Sequence, residues 1–151
     1  MNAACCTFDV VVDAATLRMG QYNVTGRMCI VLDGVAFPDL TWSDFPVIVL
    51  TWWSQAIARL VSAESATEEF LFMDGPYWFQ ASQIEADNWS VRCVRGFESE
   101  QEVVLERRAV PSIVISAIHR AAAGLVRECR QQGWWTRDIA KLEALSAAAQ
   151  D

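Results

Sequence analysis

The chain has 151 residues, 53% of them hydrophobic, which is too apolar for a disordered segment and suits a single domain, residues 1–151, with its own core. Nineteen acidic residues against twelve basic ones leave a formal charge of −7. That balance argues against nucleic acid or an anionic membrane surface as a partner, since both are bound through clustered Lys and Arg, whereas a basic protein would suit it.

Residues 4–13 are rich in β-branched and aromatic types and read as a first strand, with Cys5 and Cys6 on opposite faces. From Leu17 to Gly26 the chain reads as a loop or a short strand. Arg27 to Asp33 is a strand, closed by the Asp33-Gly34 turn. Ser43 suits an N-cap, Asp44 puts a carboxylate in a first turn, and Pro46 tolerates its missing N–H there, so a helix is expected from Asp44 to Ser62. On a helical period, Thr51, Gln55, Ala58, Arg59 and Ser62 form one narrow stripe. Val47, Val49, Leu50, Trp52, Trp53, Ile57, Leu60 and Val61 cover the rest. A helix so widely apolar belongs inside, with the other elements packed around it.

Phe70 to Met73 and Tyr77 to Gln80 flank Asp74-Gly75-Pro76, the pattern of a tight hairpin from Glu69 to Ser82. Residues 89–95 alternate as a half-buried antiparallel strand, Phe97 to Glu100 is a turn, and Glu102 to Arg108 is the returning strand. Pro111 and Ser112 open a second long helix that runs to Gln132 and stops at Gly133. Its apolar stripe is Val114, Ile118, Ala121, Leu125 and Cys129, opposite Arg120, Arg127, Glu128 and Arg130. Thr136 caps a short last helix that packs Ile139, Leu142 and Leu145. This order has too few helical crossovers for a parallel sheet. The expected fold class is α+β: an antiparallel sheet of about six strands with two long helices and a short C-terminal helix packed on one face.

Catalytic signatures are missing. The five cysteines lack paired metal spacing, and His119, the single histidine, has no recognisable nucleophile or orienting carboxylate beside it in sequence. Asp33, Asp39, Asp44 and Asp74 all fall where turn or helix-start chemistry explains them. Gly20, Gly26 and Gly34 fit neither phosphate-binding nor dinucleotide-binding loops. No catalytic, cofactor-binding or metal-ligating residue is therefore assigned, and no cofactor is expected. Two features are candidates for partner binding. Glu98, Glu100, Glu102 and Glu106 alternate around a hairpin tip, as either a solvated edge or an acidic binding ridge. Trp134 and Trp135 either staple the last helix to the core or offer an aromatic anchor. No signal-peptide pattern opens the chain and no apolar run reaches bilayer length, so a cytoplasmic protein with reduced thiols is expected.

The segments Phe37-Pro-Asp-Leu-Thr-Trp-Ser-Asp-Phe-Pro-Val-Ile-Val-Leu50, Phe72-Met-Asp-Gly-Pro-Tyr-Trp-Phe79 and Cys129 to Trp135 resemble a group of small, uncharacterised bacterial α+β proteins. That group is itself similar to the immunity proteins that accompany secreted polymorphic toxins. The resemblance covers most of the chain from about residue 27, and its motifs are turns and helix starts. It implies a fold and a role in protein binding, with a basic toxin as the partner class, and transfers no functional residue. The leading expectation is a non-enzymatic cytoplasmic protein of immunity type that occludes a partner, as a monomer or homodimer, through an acidic and aromatic surface. Two rivals stand beside it: a small-ligand or enzymatic domain with a pocket lined by Trp52, Trp53, Trp78 and Trp89, and a structural homodimer.

Overall fold

The computed structural model describes residues 6–149. The first half of the chain holds β1 (Phe8–Val12), β2 (Arg18–Met19), β3 (Val24–Leu32), β4 (Val35–Phe37), β5 (Ser43–Asp44) and helix α1 (Pro46–Val61). In the second half come β6 (Thr67–Leu71), β7 (Tyr77–Glu85), β8 (Asn88–Arg95), β9 (Glu102–Ala109), α2 (Pro111–Gln132) and α3 (Arg137–Ala149).

The fold is α+β with antiparallel pairing, but the strands form two sheets, of five and four strands, where one of about six was expected. In the first, β1 and β4 flank the second half of β3, while β2 and β5 pair with its first half. β6, β7, β8 and β9 form a simple meander. The division has a physical cause: α1 stands between the two sheets in the chain and touches β3 on one side and β6 on the other. The sheets meet through side chains, Phe8 lying edge-on to Phe79 with ring centroids 5.7 Å apart. The first strand is shorter than expected, and the placement of Cys5 lies outside the described residues.

Helix α1 is the interior element. It contacts α2 and α3 as well as both sheets, and α2 in turn lies against β1. Trp53 is fully buried, edge-on to Phe70, Phe72 and Phe79, and its indole N–H donates to Leu71 O at 2.8 Å. The exposed stripe is rotated from the expected one: Thr51 is buried, its hydroxyl bonded to Val47 O, and Trp52 faces outward. α2 and α3 keep their expected ends. Gly133 closes α2 at φ +75°, and Thr136 Oγ1 accepts the Ile139 N–H at 3.0 Å.

The start of α1 differs from expectation. The helix begins at Pro46, no side chain caps it, and Ser43 and Asp44 instead form the short strand β5 against Arg27 and Gly26. Asp44 has another task. Its carboxylate is 2% exposed and accepts four N–H groups: the Trp42 indole at 2.8 Å and the backbone amides of Phe45, Met73 and Asp74 at 2.8, 3.2 and 3.3 Å. Two of those amides belong to the β6–β7 turn. The Trp42 ring then covers that turn, 5.0 Å from Tyr77, and a Cβ at Gly75 would stand 2.7 Å from its Cη2. Residues Phe37–Leu50 and Phe72–Phe79, far apart in sequence, thus meet at one carboxylate.

Asp44→Ala removes the acceptor for all four donors, and a buried donor without a partner costs about 1–3 kcal/mol. Urea unfolding of this variant, followed by tryptophan fluorescence, is expected to show a loss of about 3 kcal/mol or more, with Asp44→Asn losing less. A loss of less than about 1 kcal/mol would show that the carboxylate does not hold the turn.

Candidate protein-binding surface

Strand register sorts the side chains of the meander onto two faces. The row Phe70–Phe79–Cys93–Leu105 faces the core. On the other face lie three successive rows: Leu71–Trp78–Val94–Val103, Glu69–Gln80–Arg92–Glu106 and Thr67–Ser82–Ser90–Arg108. The second and third are polar or charged. The first is wholly apolar, and its middle members Trp78 and Val94 are buried without belonging to the main core.

The turn between β8 and β9 is pinned beside this apolar row. Trp78 donates its indole N–H to Gly96 O at 2.9 Å, and Gly96 N–H donates to Pro76 O at 2.7 Å. Gly96 has φ +92°, and a Cβ there would come within 2.5 Å of Glu100 O, so only glycine fits. Glu98 also holds a positive φ, of 59°, which is uncommon for a residue with a side chain. The outcome is a fixed turn that presents Phe97, Glu98 and Glu100 to solvent next to the half-exposed Val103 and Val104.

The four expected glutamates do not act as one ridge. Glu98 and Glu100 form no ion pair among the described residues. Glu102 pairs with Arg95, and Glu106 with Arg92 at 3.3 Å and the Ser90 hydroxyl at 3.2 Å. Those two are therefore balanced across β8 and β9, while the unbalanced charge sits in the turn. Of the tryptophan pair, Trp134 packs against the core with its backbone N–H on Cys129 O, whereas Trp135 is 68% exposed. The outermost strand β9 carries a register shift opposite Cys93 and Val94 and paired charges along its length, both devices that guard a sheet edge against chance pairing.

A feature with no sequence signal lies on the core-facing side of the meander, at its β9 edge. Between β4 and β9 opens a cleft of about 260 Å³, lined by Val35, Phe37, Pro38, Tyr77, Val104 and Leu105, with Arg95 also in its wall. The Arg107 guanidinium reaches Asp33 at 2.9 Å across the same pair of sheets. Three-residue β4 gives too short a pattern to be read as a strand, so the cleft it borders could not be foreseen.

The reactive residue types have quiet surroundings. Burial pushes the Cys93 thiol up to about 12 and also raises Cys29 and Cys129, with Asp39 and Glu128 adding to the last two respectively. These sulfurs stay protonated at neutral pH and are poor nucleophiles. Burial lowers the pKa of His119, and no carboxylate among the described residues lines the cleft it faces. Among the described residues no group of three or more His, Cys, Asp or Glu could hold a metal ion, and no helix is long and apolar enough to cross a membrane. Trp52, Trp53, Trp78 and Trp89 occupy separate environments: Trp53 is edge-on to three phenylalanines, Trp78 is tied to Gly96, Trp89 is buried in the core and Trp52 is exposed. A scan against protein-family models finds no match, and searches of curated proteins and of solved structures find none either.

Gly96→Ala tests the turn directly. The clash with Glu100 O and the positive φ together are expected to destabilise the protein by about 1–3 kcal/mol and to shift the Trp78 indole N–H resonance. An unchanged urea midpoint and an unmoved indole signal would mean that the turn is free to rearrange.

Proposed function

We propose that this protein is a non-enzymatic cytoplasmic binding protein of the immunity type, which occludes a basic protein partner, of the toxin class that its sequence resemblance suggests. The observation that carries this reading is the β8–β9 turn, pinned through Gly96, where two carboxylates with no ion pair among the described residues follow the exposed Phe97. Phe97, Val103 and Val104 supply the area a partner can bury, and Glu98 and Glu100 supply charge that steers a basic surface towards it. The cleft between β4 and β9 offers a recess in which one large apolar side chain of the partner can anchor. The overall charge of −7 acts in the same direction at longer range.

Co-expression with the product of the adjacent reading frame, followed by titration calorimetry, tests the proposal. The expected result is a complex that Glu98→Lys with Glu100→Lys weakens about 10–100-fold at low salt, less at high salt, with the melting temperature of the free protein unchanged. A neighbouring product that is not basic and does not bind at micromolar concentration would contradict the proposal, as would a complex indifferent to the double charge reversal.

A further inference from the structure

The three helices enclose a second cleft, remote in the chain from the β8–β9 turn. α1 contributes Ser54, Ile57 and Val61, α2 contributes His119, and α3 contributes Leu145 and Ala148. Its volume is about 290 Å³, room for about ten water-sized groups at about 30 Å³ each. Among the described residues, every one that lines it is apolar except Ser54 and His119, and none of them is charged.

Ser54 is the unusual member. It is 9% exposed, and its Oγ is closed to water and has no hydrogen-bond partner among the described residues. The helix could satisfy a hydroxyl at this depth. Thr51, almost one turn earlier, bonds Val47 O at 2.7 Å, yet Ser54 makes no such bond. A buried hydroxyl left unmatched is unfavourable, and alanine would fill the same space without the penalty. Across the cleft, the half-buried imidazole of His119 is neutral at neutral pH, since burial disfavours its charged form. It can donate at one nitrogen and accept at the other.

We propose that this cleft binds a small uncharged amphiphile, an aliphatic chain with one hydroxyl or carbonyl head, whose head bonds Ser54 and His119 and whose chain lies along Ile57, Val61 and Leu145. Reaching the head takes a change of χ1 rotamer in Ser54, a step between ordinary staggered wells. An anionic head is disfavoured because the described residues of the lining include no cation to pair with it. Mostly apolar walls with a few polar groups are the usual composition of small-molecule sites.

The chain's single histidine makes the test specific, because its ring signals in a magnetic-resonance spectrum have no overlap from other histidines. Titration with n-heptanol is expected to move the His119 signals saturably, while the heptanoate anion leaves them in place. Ser54→Ala is expected to weaken n-heptanol about fivefold, the equivalent of one neutral hydrogen bond, and to melt no lower than the wild type without ligand. No saturable shift up to the solubility limit of n-heptanol would overturn the proposal. Equal affinity in wild type and Ser54→Ala would remove Ser54 from the site, and equal binding of heptanoate would refute the uncharged class.

Discussion

A carboxylate closed off from water, with four N–H groups directed at it, joins the two halves of this chain. Asp44 lies at the end of β5, where the first sheet hands the chain to α1, and two of its donors lie in the turn that joins β6 to β7. Burying a carboxylate is costly unless its lone pairs are engaged, so the arrangement tolerates little displacement of either partner. Trp42 gives the bond direction, donating to Asp44 through its nitrogen and covering Gly75 and Tyr77 with its ring. Once that contact is made, α1 is aimed along the inner face of the meander, and Trp53 meets Phe70, Phe72 and Phe79.

That packing leaves the meander with one face spoken for and one face in solvent. The inner row is filled by aromatic contacts, including Phe70 stacked on Phe79 at 4.6 Å. Along most of the outer face, opposite charges pair across strands, as in Arg92 with Glu106, and such exposed pairs contribute little to stability. At the β8–β9 end an apolar row meets the exposed Phe97 and two glutamates that form no ion pair among the described residues. That combination, at a turn pinned through Gly96, is what supports the proposed role in recognition.

Much of the fold could be read from the residues. Alternation in residues 89–95, the Asp74-Gly75-Pro76 turn, Pro111, Gly133 and Thr136 each carry a local physical cause, and the elements they predict are present. What escaped was non-local. Asp44 looks like a helix-start carboxylate because that is its commonest use, and nothing nearby in sequence shows that the amides of Met73 and Asp74 will claim it. Two-residue strands such as β2 and β5 exist only because β3 is there to pair with them. Trp52 and Trp53 are indistinguishable by composition, and which one faced the phenylalanines depended on the aim of the helix. Glu102 and Glu106 looked like members of an acidic ridge until the register set arginines opposite them. The Ser54 cleft needed three helices from separate parts of the chain.

Native-state hydrogen exchange at the amides of Met73 and Asp74 tests the central role of Asp44 most directly. Both residues are themselves exposed and sit in a turn, where amides ordinarily exchange fast. If Asp44 ties that turn to the start of α1, the two amides exchange as slowly as those in the middle of β7, opening only with the whole structure. Exchange at the rate of an unprotected loop would contradict the account.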